Sequence, residues 1–557
     1  MFLNREKSYT NIYIFYIVLC IIIYILGSLF IPLMEIDSVQ YANISREMLQ
    51  NKSFLQIFDQ GKDYLDKPPM LFWLSSLSMY FFGINDFAFR LPSILMAILA
   101  IYSTYKFTLL YYSNEIAILA ALILASTQAM FLITHDVRTD TMLMAWVILA
   151  IWQFASWLNN RKWHSLIIAF SAVAFGMMTK GPIALMVPIF SFAPHMLIHR
   201  NFKMLFRWEY LVGLVIIIIL LIPMDIGLYQ QFDLHPEKVM YEKTGTSGIR
   251  FFYWTQSFGR ITGESVWHEN DDFFFLFQNL LWGFLPWTLF LISGLISECT
   301  RIIRTKFIVN KNEEWIVLPG FLITYTALGI SNYQLPHYIY VVLPFTAIIA
   351  AKSLYSLVIN WENKFFKNVI NGINIFIYIL VLAILLVLLL FTFNTNIYFV
   401  IASLSVMSIF FLILMLKKIG AIPKVIQFAL FTIITTNLLL TIFFYPTLLE
   451  FQLGNAVTQM IRQKNIDKTK FYLYQVYYER SLDFYSNHSF QQVESLNSLK
   501  SNDYVLVKNE LINQELLTNF NKIEQVSTFH VSTLNAEFLN PKTRESVLTI
   551  YSIFQKK

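Results

Sequence analysis

This sequence is poor in charge. Of its 557 residues only 14% are Asp, Glu, Lys or Arg, while 57% are hydrophobic and 17% aromatic; an ordinary soluble domain carries about 25% charge. A water-soluble fold of this size could not hide that much apolar surface, so solubility is excluded for most of the chain. Cysteine is scarce as well. Cys20 and Cys299 are far apart and lie in or beside apolar runs, which argues against a disulfide framework or a cysteine metal site. The net charge of +6 is too small to signal nucleic acid. Internal repeats and low-complexity linkers are missing too.

What the chain has is apolar runs long enough to cross about 30 Å of hydrocarbon. Thirteen are read as spans: 11–33, 87–111, 115–133, 138–158, 163–181, 183–199, 208–229, 274–297, 314–331, 336–358, 368–391, 397–417 and 424–447. The first exceeds a signal-peptide core and lacks a small-residue cleavage site, so it reads as a retained span. Basic residues fall in alternate loops: Arg5 and Lys7; Arg161 and Lys162; Lys203 and Arg207; Arg301, Arg304, Lys306 and Lys311; Lys364 and Lys367; Lys417, Lys418 and Lys424. Placing them in the cytoplasm puts the N-terminus there and the tail after Leu449 outside. Met70–Phe82 is apolar over only 13 residues. Counting it as a span would invert every later loop, so it reads as a helix in the outer interface. The expected fold is therefore an all-α polytopic membrane domain over 1–449 and a small α/β extracytoplasmic domain over 450–557.

The outer face collects the groups that carry chemistry. Loop 34–86 opens with Glu35-Ile36-Asp37-Ser38 and reaches Asp66-Lys67-Pro68-Pro69. Loop 230–273 holds Arg260 and His268. Shorter outer turns hold Asp136, Arg138 and Asp140; Thr179-Lys180-Gly181-Pro182; and Gln334-Leu335-Pro336-His337-Tyr338. Each has an ordinary reading. An acid at a span end is usually a solvated cap, Lys180 could be a snorkelling anchor, and a loop histidine is usually a surface residue. Taken together they point to a site, because charges near a bilayer are expensive to keep. Cations at headgroup height (Lys67, Lys180, Arg260) suit a lipid phosphate. Carboxylates beside them (Asp37, Asp140) suit a general base or an acceptor-orienting group.

These motifs, in this order, resemble the polytopic lipid-linked-sugar glycosyltransferases related to protein O-mannosyltransferases, the C-type superfamily, and most closely the lipid A aminoarabinose transferase type. The resemblance covers roughly the first 350 residues. It rests on Ile36-Asp37-Ser38-Val39-Gln40-Tyr41-Ala42, Ser45-Arg46-Glu47-Met48, Lys67-Pro68-Pro69-Met70, Phe82-Gly83, Arg90-Leu91-Pro92-Ser93, Arg138-Thr139-Asp140, Thr179-Lys180-Gly181-Pro182, Gly283-Phe284-Leu285-Pro286-Trp287 and Leu335-Pro336-His337-Tyr338. It implies a catalytic carboxylate at Asp37, a second active-site acid at Asp140, and polyprenyl-phosphate recognition by Lys67 and Arg260 with Lys180 beside them. Tyr41, Arg138, His337 and Tyr338 would line the substrate cavity. It further implies a bacterial inner-membrane enzyme with no required cofactor, using a polyprenyl-phosphate sugar and a glycolipid, glycan or protein acceptor. In the aminoarabinose-transferase type, acid and histidine ligands in the outer loops can hold a divalent metal. Asp66 and His268 are the nearest counterparts, with Glu264 as a third, though no strong ligand spacing accompanies them. Two departures stand out: Ser38 replaces the usual second acid, and Gln334 replaces a basic residue.

A transporter or flippase of a lipid-linked sugar is the competing reading. It would show matching halves and helices broken at mid-membrane, whereas here the polar groups gather at one face. A non-catalytic scaffold would not need them gathered at all.

Overall fold

The computed structural model describes residues 2–264, 272–308, 310, 313–359, 364–416, 424–476 and 479–557. The apolar region folds as helices, for the reason the composition gave: in lipid every backbone polar group must be paired within the chain. Among the described residues seven helices are long and apolar enough to cross a bilayer, and one bent pair would make an eighth. Four shorter apolar helices accompany them: Met70–Phe82, Ile183–Ile198, Val317–Gly329 and the stretch Ile397–Ile409. The chain is a multi-pass membrane protein.

The helices that place the site are α1 (Phe2–Phe30), α2 (Asp37–Asn51), α3 (Met70–Phe82), α4 (Asp86–Leu109), α5 (Asn114–Ala125), α6 (Gln128–His135), α7 (Thr139–Asn160), α8 (Trp163–Lys180) and α9 (Ile183–Ile198). Their ends follow local chemistry. The side chains of Asn85, Ser113 and Thr127 accept from the backbone N–H of Ala88, Ile116 and Met130, capping α4, α5 and α6. Gly181 ends α8 at φ +97, a conformation that a side chain would strain. Pro182 then starts α9, so the Lys-Gly-Pro sequence leaves Lys180 on the last turn of α8.

Two expected spans are broken. The run over 115–133 is α5 and α6, bent by 50°. At the bend Ser126 Oγ accepts from Trp287 Nε1 at 2.9 Å, and the Gln128 N–H donates to the Leu285 carbonyl. The run over 274–297 is two helices, Phe275–Gly283 and Thr288–Arg304, interrupted around Pro286, where proline removes a backbone donor. Met70–Phe82 is helical over 13 residues. It buries Met70, Leu71, Phe72 and Met79 and exposes Leu77, Tyr80, Phe81 and Phe82. Lys311, Lys417 and Lys418, which entered the charge count, lie outside the described residues.

One apolar core runs through α1, α4 to α9 and the later helices, with Trp157, Trp287, Phe131 and Phe284 buried in it. A smaller core forms where α2 and α3 meet Leu33, Val137, Met142 and Phe484. The tail carries five strands: β1 (Phe471–Tyr474), β2 (Gln491–Val493), β3 (Tyr504–Lys508), β4 (Phe520–Thr528) and β5 (Thr549–Lys556). Their order is β2-β1-β3-β5-β4. β1 runs parallel to β2 and β3; β5 runs antiparallel to β3 and β4. The helix Arg480–Ser486 carries the tail onto α2.

Candidate active site

The site is built where the links α1–α2, α6–α7 and α8–α9 converge. Asp37 is the first residue of α2 and is ion-paired with Arg138 of the α6–α7 link. The same guanidinium holds Asp136 at 2.8 Å. Asp140 is the second residue of α7 and is 1% exposed. Its Oδ1 is ion-paired with Lys180, and His337 Nε2 stands 3.6 Å from its Oδ2. The Lys180 ammonium also lies 3.8 Å from the centre of the Tyr338 ring, a favourable cation–π contact. Three acids and two cations thus alternate across the α2, α7 and α8 ends. The fully buried Asp140 carboxylate is tolerable only because Lys180 is present.

A cavity opens on each side of this strip. One, of about 210 Å³, is lined by Lys67, Lys180, Gln256 and Tyr338 at its polar end and by Ile183, Met186, Phe190 and Leu328 along an apolar wall. The other, of about 220 Å³, is lined by Arg90, His135, Asp136, Arg138, His337 and Tyr340, with Trp282, Tyr445 and Leu449 beside them. Asp136 Oδ1 is buried there without a hydrogen-bond partner. Burial pushes the Asp136 carboxyl up to about 7, with the Arg90 guanidinium pulling the other way. Arg90 itself is a buried brace: it donates to the His135 carbonyl at 2.8 Å, to Pro32 at 3.0 Å and to Ile31.

Of the residues singled out in the sequence, the structure brings Asp37, Asp140, Arg138, Lys180, His337 and Tyr338 together, with Lys67 on the first cavity. Lys67 is paired with Asp66 at 2.8 Å, and Asp66 also accepts from Gln256 Nε2 at 3.0 Å. Tyr41 lines neither cavity. It is 2% exposed in the core beneath α2, edge-on to Phe72. Arg260 sits on a short helix, Gly259–Thr262. His268 lies outside the described residues. Among the described residues no three His, Cys, Asp or Glu side chains come together to hold a metal. Asp66 is engaged as above, and Glu264 pairs with Arg250 at 3.3 Å.

Along α2 the nearest charged residues to Asp37 are Arg46 and Glu47, nine and ten residues on. Those two do turn elsewhere. Arg46 donates to the Asp483 carbonyl, and Glu47 accepts from the N–H groups of Gln60 and Gly61. The partner comes from 101 residues away. Asp136 stood among the outer-face charges of the sequence without an assigned role, and Gln256 was not singled out.

An ion-paired, largely buried polar strip thus stands at one end of the helical bundle, with an apolar-walled cavity running from it. Over its whole length the chain superposes on the crystal structure of ArnT from Cupriavidus metallidurans bound to undecaprenyl phosphate, with a TM-score of 0.70, 16% identity and 98% of each chain covered. The apo form gives a TM-score of 0.68 at 16% identity, covering 90% of this chain and 94% of that one. Residues 66–226 match the family model of dolichyl-phosphate-mannose-protein mannosyltransferases. The undecaprenyl phosphate-alpha-4-amino-4-deoxy-L-arabinose arabinosyl transferase of Yersinia pestis (strain Pestoides F) is 28% identical over 305 residues, 54% of this chain and 52% of its own. That of Wigglesworthia glossinidia brevipalpis is 27% identical over 345 residues, 60% and 58%. The chain spans about half the length of the curated relatives it matches. The fold is that of the ArnT structures.

Proposed function

We propose that the protein transfers a sugar from a polyprenyl-phosphate donor to an acceptor at the outer face of a bacterial inner membrane. The acceptor class is a glycolipid such as lipid A, a glycan or a protein. The observation that carries this reading is the strip Asp37–Arg138 and Asp140–Lys180 between two cavities. One cavity pairs two lysines with an apolar wall, which suits a phosphate on a prenyl tail. The other brings Arg90, Asp136, Arg138 and His337 to its wall and is large enough for a sugar or an acceptor head.

In the reaction the bond from the sugar anomeric carbon to the phosphate oxygen breaks, and polyprenyl phosphate leaves. A new bond forms from that carbon to the acceptor oxygen. Lys67, Arg260 and Lys180 neutralise the charge that grows on the departing phosphate, and fixed cations in a low-dielectric site do this more strongly than water. Asp37 takes the acceptor proton, or orients the acceptor where that is itself a phosphate. Arg138 holds Asp37 until the acceptor arrives, and Asp140 fixes the Lys180 ammonium. The relatives' names and the lipid-bound neighbour support a polyprenyl-phosphate donor.

The topology proposed with this function has thirteen crossings, a cytoplasmic N-terminus and an extracytoplasmic tail. The membrane domain ends near Leu449, and loops 34–86 and 230–273 face the reaction. The test is purified protein with a synthetic polyprenyl-phosphate sugar, measuring transfer and lipid translocation side by side. Transfer without translocation supports the enzyme. Translocation without transfer supports the flippase.

A further inference from the structure

Asp37 is the first residue of its helix, and what fixes it is not the membrane domain alone. The chain enters α2 through Leu33, Met34, Glu35 and Ile36. Leu33 and Glu35 are buried, 0% and 6% exposed, so their backbone groups must be paired within the protein. The tail supplies most of the partners, and Asp86 of α4 is a second acceptor for the Leu33 N–H at 3.1 Å. The carboxamide of Gln452, itself 1% exposed, accepts from the Glu35 N–H at 3.0 Å and donates to the Leu33 carbonyl at 3.0 Å. It grips the entry strand on one side as a neighbouring strand would. The Leu33 N–H donates to Tyr485 Oη at 2.5 Å, and that hydroxyl donates to Asp86 at 2.6 Å. The Glu35 carboxylate accepts from the Ser481 N–H at 2.5 Å, at the start of the Arg480–Ser486 helix. That is the end of a helix where an acceptor is favoured.

The body of α2 is tied to the same tail helix. Asn43 donates to the Arg480 carbonyl at 2.6 Å and Arg46 to the Asp483 carbonyl at 2.9 Å. The Arg480 guanidinium reaches Asp59 at 3.0 Å, and Asp59 accepts from Gln40 one turn after Asp37. None of these tail groups lines either cavity. Lys67, Lys180 and Asp140 hang from other elements.

We infer that the tail is a positioning device for Asp37. Gln452 and Tyr485 hold the backbone two and four residues ahead of it, and so set where its carboxylate meets the acceptor. The inference rests on the proposed function, since it gives Asp37 a role in transfer. Displacing a reacting group by about 1 Å can cost on the order of a hundredfold in rate. Freeing the entry strand is a perturbation of that kind.

The test is a double-mutant cycle in the full-length protein, using steady-state transfer from a radiolabelled polyprenyl-phosphate sugar. Gln452→Met keeps the shape of the side chain and removes both hydrogen bonds. Tyr485→Phe removes only the hydroxyl and serves as the milder variant. Each is measured alone and with Asp37→Asn. The expected result is a 10- to 100-fold fall in kcat for Gln452→Met with donor KM within threefold of wild type. A smaller fall of the same kind is expected for Tyr485→Phe. In the Asp37→Asn background each tail variant should cost less than threefold more, because the group being positioned is gone. Full multiplication of the two losses would make the tail a general stabiliser and overturn the inference. So would unchanged kcat in folded tail variants, or a rise confined to KM. Near-normal turnover of Asp37→Asn alone would overturn the role of Asp37 itself, which is a different failure read on a different arm.

Discussion

Replacing Lys180 with methionine removes the ammonium that faces Asp140 and leaves most of the side chain's volume in place. Asp140 is 1% exposed and Lys180 15%, so the carboxylate cannot turn to water. The nearest other cation-capable group is His337, whose Nε2 is 3.6 Å from Oδ2, beyond hydrogen-bond reach. Breaking one side of a buried pair costs about 3–5 kcal/mol, because the remaining charge is left uncompensated. Asp140→Asn removes the carboxylate facing Lys180, which keeps the Tyr338 ring at 3.8 Å, and should cost less. The double variant, Lys180→Met with Asp140→Asn, strands neither. It should be more stable than the sum of the single losses predicts, by about 2–3 kcal/mol of coupling. The assay is equilibrium unfolding in mixed micelles followed by circular dichroism, with transfer activity measured in parallel. Stability should return in part in the double variant while activity does not, since the charges needed for transfer stay missing. Additivity of the two losses within about 0.5 kcal/mol would refute a desolvated, mutually dependent pair.

Lys67→Ala and Arg260→Ala should each remove a charge-assisted contact to the donor phosphate worth about 1.5–3 kcal/mol. Measured as KM for the lipid donor, that is a rise of about 10- to 150-fold, and unchanged donor KM in both would leave them as membrane anchors. The tail should show a pH signature. Burial, then repulsion from Glu35, pushes the Glu479 carboxyl up to about 8 from an ordinary 4.5, against backbone N–H groups of Gly454 and Leu453. The folded state therefore binds the extra proton between those values, so this group's contribution to stability is full below about pH 4.5 and is lost as pH rises through about 8. Melting curves of the wild type should fall over that window and those of Glu479→Gln should be flatter; equal pH dependence in the two would remove Glu479 as the cause. A reporter fused after Lys557 should be active only in an extracytoplasmic location, and one active only in the cytoplasm would reverse the topology and make Met70–Phe82 a crossing.

Much of this was legible in the sequence because membrane proteins write their fold in hydropathy. A run without charge is a helix in lipid, and the acids and cations that remain stand out against it. Asp37, Arg138, Asp140 and Lys180 were found that way, although their pairing was not. Pairing depends on which links meet at one bundle end, and Asp37 and Arg138 lie 101 residues apart. The breaks at Ser126-Thr127 and around Pro286 were hidden for a related reason. A hydropathy window averages over two or three residues that bend the chain, while the partners that reward the bend, such as Trp287 for Ser126, come from elsewhere. Tyr41 shows how little a motif says about packing. A tyrosine in a polar motif suggests a cavity wall, but its position on α2 faces Phe72 and the core. Gln452 carried no signal at all, since a glutamine between an apolar span and a soluble tail reads as a linker residue until the contact is seen.

The central claim is that Asp37 is the group that works on the acceptor. The most direct measurement is sugar transfer by purified, monodisperse Asp37→Asn protein from a polyprenyl-phosphate sugar, normalised to folded protein. The substitution keeps size and hydrogen bonding and removes the charge and the base. Normal insertion with turnover down by about two to four orders of magnitude is the result this account predicts. Near-wild-type turnover from the same well-folded protein would contradict it.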